Sequence, residues 1–376
     1  MTPTSPGRLR LESQPLGLWY AATDAETAVE LDPLWLREHC QDPDHLDPRT
    51  RQRLFDPHQL PANLALTAAH WEDPDTLWLA FSDGYGGRYA VAELLFDAAG
   101  GDGCPTPEPW RVAHWSTPEA GFRFAWPDLA SPEALGTCVE HFLRWGFVVI
   151  GDTTPEPQTI LELARRFGNV RETNFGQLFE VYSRADGNDL AYRAVALGPH
   201  TDNPYREPVP GIQLLHCLVN QAEGGLSTLA DGLAAAQALA AEDPAGFELL
   251  AETPVRFRFI DRDQYLLEWR PLIQRDVTGQ VVGIHYSPRL DALPRLASRD
   301  QRQHFHRARQ RLGQLLTDPT FELCFKLDPG ELLMFDNVRL LHGRTAFDPR
   351  TGHRHLQGCY IDRDGPRSLY RVLTRG

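Results

Sequence analysis

Runs and alternations of apolar residues divide this 376-residue chain into two parts. Residues 8–98 read as short strands with turns between them. Leu77-Trp78-Leu79-Ala80-Phe81, then Ser82-Asp83-Gly84-Tyr85-Gly86-Gly87, then Arg88-Tyr89-Ala90-Val91 form a strand, a loop and a strand. The Gly- and Pro-rich stretch that follows breaks regular structure, so a linker is expected over 99–120 and a larger domain over 121–376. That domain opens with a helix. Ser131 suits its N-cap, Pro132 and Glu133 suit its first turn, Leu135, Cys138, Val139 and Phe142 recur at helical spacing, and Gly146 can end it. A buried strand, Phe147-Val148-Val149-Ile150, comes next, and a second helix is predicted over 157–167. Further strands are predicted over 211–218, 255–260, 266–274 and 281–286, with a turn at Asp276-Val277-Thr278-Gly279. Helices are predicted over 233–241 and 300–316, and two last strands surround Asp328-Pro329-Gly330. Many β segments with a few helices outside predict a mainly β fold, a sandwich or jelly roll with flanking helices.

Composition narrows the class. Hydrophobic residues at 42% and charged residues at 23% are those of a globular enzyme and exclude a disordered chain. The net charge of −14, with no offsetting run of Lys and Arg, argues against nucleic acid as a partner. The first residues lack the apolar core of a signal peptide, and no stretch is apolar enough to span a bilayer, so a cytoplasmic protein without membrane contact is expected. Six scattered cysteines with no CxxC pair fit reduced thiols.

The candidate chemistry begins with His200-Thr201-Asp202. On a strand, residues two apart share a face, so both side chains are expected to reach one ion. His342, just after the apolar run Leu332-Leu333-Met334-Phe335, is the candidate third ligand. Two His and one carboxylate leave open positions on Fe(II) for a cosubstrate and dioxygen. Arg354, twelve positions after His342, has the fork that holds a carboxylate through two hydrogen bonds.

Together, His200-Thr201-Asp202, Gly224-Gly225…Thr228, Phe335-Asp336-Asn337…His342-Gly343-Arg344 and Arg354-His355-Leu356…Tyr360 resemble the γ-butyrobetaine hydroxylase and trimethyllysine hydroxylase group. That group lies within the taurine-dioxygenase-like Fe(II)/2-oxoglutarate oxygenases. The resemblance covers 122–367, and the N-terminal part is more loosely similar to the family's small accessory domain. It implies a double-stranded β-helix, iron on His200, Asp202 and His342, and 2-oxoglutarate anchored on Arg354 with Thr228 nearby. It implies no catalytic residue beyond the metal ligands. It also implies hydroxylation of an unactivated carbon, with O2 consumed, and a homodimer.

The family's substrates carry a trimethylammonium group in an aromatic cage. By position the cage is Phe175, Phe179, Tyr192 and Tyr360, with Phe175 and Phe179 standing where γ-butyrobetaine hydroxylases have Tyr and Trp. Spaced i and i+4, these two phenylalanines also suit a plain core. Asp189 stands where carnitine-forming enzymes have Asn, and is equally a loop cap. Tyr286-Ser287-Pro288-Arg289 replaces paired Asn residues, so Arg289 is either a grip for a carboxylate or phosphonate, or a surface charge. The substrate expected is of the γ-butyrobetaine type, with 2-(trimethylammonio)ethylphosphonate or trimethyllysine as alternatives. A non-catalytic betaine-binding jelly roll is the alternative of a different class. In the accessory domain the resemblance implies a zinc on three Cys and one His. Only Cys40 keeps its ligand type; Asp42 and His45 occupy the next two positions and the fourth falls near Gly84, so no structural zinc is expected.

Overall fold

The chain divides into two units, Met1–Pro109 and Trp110–Gly376. The structure, a computed structural model, describes residues 7–22, 27–99, 113, 115, 121–182, 195–296 and 298–374. Tyr192, Asp189 and most of the expected linker lie outside the described residues.

In the smaller unit two three-stranded antiparallel sheets are built from Gly7–Ser13, Leu16–Ala22 and Val29–Leu31, and from Leu66–Asp73, Thr76–Phe81 and Gly86–Ala90. Two helices, Pro33–Glu38 and Val91–Ala98, add to the strands expected there; Asp32 caps the first by accepting from the Leu34 amide at 2.7 Å. The core is Leu18, Leu36, Leu77, Leu79, Phe81, Tyr89 and Leu94. Trp19 and Trp78 are only partly buried despite their size. Alternation decides this: Leu18, Leu77 and Leu79 point inward, which sends the neighbouring indoles to the opposite face.

The place expected to have lost its zinc is organised around a guanidinium. Arg37 is 4% exposed. Its Nε donates to Asp83 at 2.9 Å, and its Nη1 reaches the Cys40 sulfur at 3.5 Å. The guanidinium carbon lies 3.9 Å from the Tyr85 ring centre and 4.6 Å from that of Phe55. Burial pushes the Cys40 thiol up, so it stays protonated. His45 packs edge-on against Tyr85 and Phe55. Among the described residues Cys40, Asp42 and His45 are not gathered into a metal-binding group, and the Cys40 sulfur is taken up by the Arg37 guanidinium, so this donor set does not fit a closed four-ligand zinc site. Arg37→Met should lower stability by about 3 kcal/mol, because it strands the Asp83 carboxylate. Urea unfolding of the variant checks this; a change below about 0.5 kcal/mol would show that the cluster is incidental.

In the larger unit the predicted helix is Pro132–Trp145, with Ser131 as N-cap and Gly146 at φ 86° closing it. That left-handed turn, which glycine adopts without strain, feeds directly into the strand Phe147–Gly151. The main sheet runs in the order Phe179–Tyr182, Arg354–Ile361, Ile212–Asn220, Leu332–Asp336, Phe147–Gly151, Arg123–Ala125, with Val170–Arg171 beside Arg354–Ile361. A second sheet has the order Leu197–His200, Leu340–Arg344, Ser227–Asp231, Glu322–Phe325. Phe147, Val149, Cys217, Leu333, Phe335 and Leu356 of the first share one core cluster with Leu229 and Leu340 of the second. The fold is mainly β with flanking helices. Among the described residues no helix is long and apolar enough to cross a membrane.

Helices Gly232–Glu242, Pro244–Glu252 and Arg299–Leu315 pack into another cluster with Val255 and Phe257. The middle helix goes beyond the sequence expectation, although Asp243 as N-cap and Pro244 in the first turn are its ordinary signals. The strand expected over 266–274 is two strands, Tyr265–Arg270 and Ile273–Arg275, because Pro271 has no N–H to continue a ladder.

Two histidines in this unit are held neutral. Thr153 Oγ1 donates to the Gly330 carbonyl at 2.7 Å, so its contact with His216 Nε2 at 2.8 Å requires the imidazole to donate. Nδ1 is then a bare acceptor without a partner. Burial drives His216 down to about 4 and His285 down to about 3, with Arg270 adding to the second. The unfolded chain takes up these protons near pH 6.5, and the folded chain resists until far lower. The stabilisation is therefore complete above pH ~6.5 and lost progressively as pH falls. The thermal midpoint should drop from pH 7.5 to 5, and His285→Gln should reduce that slope; an unchanged slope would remove His285 from the account.

Candidate metal centre

The two histidines of the expected triad are cross-strand partners. His200 ends the strand Leu197–His200 and pairs with His342 on Leu340–Arg344. Their rings lie 4.2 Å apart, centre to centre. Asp202 arrives differently from the strand alternation expected. The strand stops at His200, its register shifts between Leu197 and His200, and Asn203 has a left-handed φ of 54°. Thr201 is held by its amide bond to the Tyr286 carbonyl at 2.8 Å. Asn337, fully buried, clamps Asp202 by its backbone: Oδ1 accepts from the Asp202 amide at 2.7 Å, and Nδ2 donates to the Asp202 carbonyl at 3.1 Å. Nδ2 also donates to the Pro210 carbonyl at 2.9 Å. The sequence displayed Asn337 inside a motif but assigned it no role.

The result brings Asp202 Oδ1 to 3.4 Å from His200 Nε2 and 3.9 Å from His342 Nε2. One ligand atom from each of the three residues falls within 4.8 Å of the others. Nδ1–H of His200 donates to the Gly198 carbonyl at 3.0 Å, which leaves the Nε2 lone pair free toward the centre. Burial, reinforced by His200, drives His342 down to about 3, so it is neutral. Burial pushes Asp202 upward, but His342, His200 and the Tyr360 hydroxyl outweigh it and keep the group a carboxylate. Two neutral imidazoles and one carboxylate are the donor set that suits a divalent iron with open positions.

A cavity of about 130 Å³ opens on this triad and also touches Thr228, Arg354 and Arg344. Arg354 begins the strand Arg354–Ile361 and is 8% exposed, yet its Nε and Nη1 meet no acceptor among the described residues. Burial pulls its pKa down, which registers how costly an unpaired cation is there. Gly225 makes room for it, since a Cβ at that position would lie 2.9 Å from Arg354 Cδ. A buried guanidinium with idle donors fits a carboxylate-bearing ligand. Arg350, four positions earlier, is exposed and bonded to Asp348.

The remaining wall is aromatic. Phe179 and Tyr360 lie 5.2 Å apart, with Gly358 leaving the Phe179 ring its space. Phe175 sits before the strand that Phe179 begins, so the two are not helical neighbours. Phe175 meets Phe259 edge-on at 5.8 Å, and Phe259 stacks on Tyr205 at 5.1 Å. Tyr205 and Phe259 were not among the expected site residues. Phe259 shares a strand face with buried Phe257, which is the signal that was available. Arg289 lines the same cavity, as does Ser287, which is fully buried with its hydroxyl unpartnered.

Comparison with known proteins agrees with this geometry. The profile of the taurine catabolism dioxygenase TauD, TfdA family matches residues 108–360. The chain is 36% identical over 345 residues to gamma-butyrobetaine dioxygenase of Pseudomonas sp. (strain AK-1), covering 91% of this chain and 90% of that one. It is 30% identical over 357 residues to mitochondrial trimethyllysine dioxygenase of Gallus gallus, covering 93% and 84%. A third relative, dioxygenase str8 of Strobilurus tenacellus, is 29% identical over 357 residues, covering 90% and 84%. The chain is thus an enzyme of the TauD/TfdA dioxygenase family, using iron(II), 2-oxoglutarate and dioxygen, in the branch that holds the gamma-butyrobetaine and trimethyllysine dioxygenases.

Proposed function

We propose that this protein hydroxylates an unactivated carbon of a small trimethylammonium substrate of the γ-butyrobetaine type. The observation that carries the reading is one cavity in which the triad, the idle Arg354 fork and a wall of aromatic rings meet. The two facing sheets are read as a double-stranded β-helix, and Met1–Pro109 as an accessory domain. A cytoplasmic homodimer completes the proposal.

His200, Asp202 and His342 would hold the iron. Iron, 2-oxoglutarate and dioxygen together supply an oxidant able to attack an unactivated C–H bond, with succinate and CO2 as coproducts. The protein's own residues do the rest. Arg354, with Thr228 beside it, fixes the cosubstrate's distal carboxylate through charge-assisted hydrogen bonds. Phe175, Phe179 and Tyr360 attract the quaternary ammonium through their ring faces and exclude water. Phe is a weaker cation–π partner than Trp, so this wall relies more on shape and number of rings. Arg289 binds the anionic end and so sets which carbon faces the metal. A guanidinium is also suited to a phosphonate, which keeps 2-(trimethylammonio)ethylphosphonate as the second reading. Roles for Tyr192 and Asp189 belong to the same proposal and rest on the sequence alone.

Succinate formation with Fe(II), 2-oxoglutarate and oxygen should be stimulated by γ-butyrobetaine or its phosphonate relative more than by trimethyllysine. No stimulation by any trimethylammonium compound would refute the substrate class. Arg354→Ala should raise the 2-oxoglutarate requirement by ~10- to 100-fold, the worth of a charged hydrogen bond. If the requirement stayed unchanged, Arg344, which lines the same cavity, would be the anchor.

A further inference from the structure

The aromatic wall and the metal centre share a continuous chain of hydrogen bonds. Tyr360 donates its hydroxyl to Asp202 Oδ2 at 2.7 Å. Asn203 Nδ2 donates to the Tyr360 hydroxyl at 3.3 Å. Tyr205 in turn donates to Asn203 Oδ1 at 2.6 Å. Tyr205, Asn203 and Tyr360 are all buried, so water does not compete for these bonds.

The direction of the chain is forced. A carboxylate only accepts, so the single Tyr360 proton goes to Asp202. The Tyr360 oxygen must then accept from its other neighbour, which turns the Asn203 amide nitrogen toward it. The Asn203 carbonyl oxygen is left facing Tyr205, and only a donating Tyr205 satisfies it. The left-handed backbone at Asn203, a conformation that Asn tolerates better than most residues, turns the chain immediately after the ligand.

The consequence lies in which oxygen of Asp202 is free. Oδ1 is the atom that faces both imidazole Nε2 atoms, while Oδ2 carries the Tyr360 proton. We propose that Tyr360, aimed by Asn203 and Tyr205, reserves Oδ2 and so confines Asp202 to one-point attachment, keeping a metal position open for the cosubstrate. Tyr360 and Tyr205 also form part of the cavity wall, Tyr205 through its stack on Phe259. The relay therefore ties the packing of the substrate wall to the attitude of the metal carboxylate. Tyr360, Asn203 and Tyr205 act as positioning residues. This inference rests on reading the triad as a metal centre.

The test uses Mn(II) as the probe, without substrate or turnover. Water-oxygen relaxation counts the exchangeable waters on Mn(II) bound to the full chain, and titration gives the affinity of that complex for 2-oxoglutarate. Tyr360→Phe keeps the ring and deletes the proton. It should lose about one exchangeable water as Oδ2 joins the metal, and weaken 2-oxoglutarate about fivefold, the worth of one ordinary hydrogen bond. Tyr205→Phe should move both readouts the same way by less, because it disorders the aim of the amide without removing the Tyr360 proton. A Tyr360→Phe protein with an unaltered water count and 2-oxoglutarate affinity would overturn the relay. So would a Tyr205→Phe protein that loses thermal stability while leaving the Mn(II) signature alone. If the unaltered protein bound no Mn(II), the metal-centre reading itself would fail, and the relay with it.

Discussion

A half-buried carboxylate set between two imidazoles is the constraint on which the larger unit turns. Asp202 lies between His200 and His342, whose Nε2 atoms stand 3.4 and 3.9 Å from its Oδ1, and burial holds His342 neutral. Such a charge is costly unless hydrogen bonds or a metal compensate it. The chain supplies part of the compensation: Tyr360 donates to Oδ2, and Asn337 fixes the backbone on both sides of the peptide unit. Oδ1 is left turned to the two imidazole Nε2 atoms, and that of His200 keeps its lone pair because its Nδ1–H is spent on the Gly198 carbonyl. A divalent cation satisfies all three at once.

The same cavity contains the opposite imbalance. Arg354 is a buried cation with two idle nitrogen groups and no carboxylate beside it. The protein has thus set a carboxylate and a guanidinium apart within one pocket instead of pairing them. Pairing would stabilise the fold and abolish the site. Held apart, they select a ligand set of complementary charge: a metal cation at one end and an anionic chelator reaching to the other. Sheet architecture makes the separation rigid, because His342 and Arg354 stand on strands of different sheets.

How much of this could be read from the sequence follows from what each element depends on. The triad and Arg354 were legible because motif spacing fixes them, even though the geometric reason offered for His200 and Asp202 was mistaken. Strand alternation was assumed, whereas a cross-strand histidine pair and an asparagine clamp do the work. The helix Pro132–Trp145 was legible from its caps and its apolar spacing, both local properties. Phe259 and Tyr205 were not, because their partnership is set by how a strand and a loop distant in sequence come together. At Trp19 and Trp78 the phase of strand alternation, set by the smaller leucines beside them, decides which face the indoles take.

Arg37 and Arg354 show why burial alone does not identify a functional charge. Both guanidiniums are nearly inaccessible. Arg37 spends its donors on Asp83 and Cys40 and both ring faces on Tyr85 and Phe55, so nothing is left to recruit a ligand. It behaves as the centre of a small core, in a region where the family resemblance implies a metal. Arg354 has the same chemistry and the same seclusion, but its donors are uncommitted and a glycine has been placed to clear the space around it. Counting satisfied against unsatisfied donors separates an arginine whose hydrogen bonds are spent from one whose donors are idle, and the same count applied to Asp202 distinguishes the oxygen held by Tyr360 from the one turned to the imidazoles.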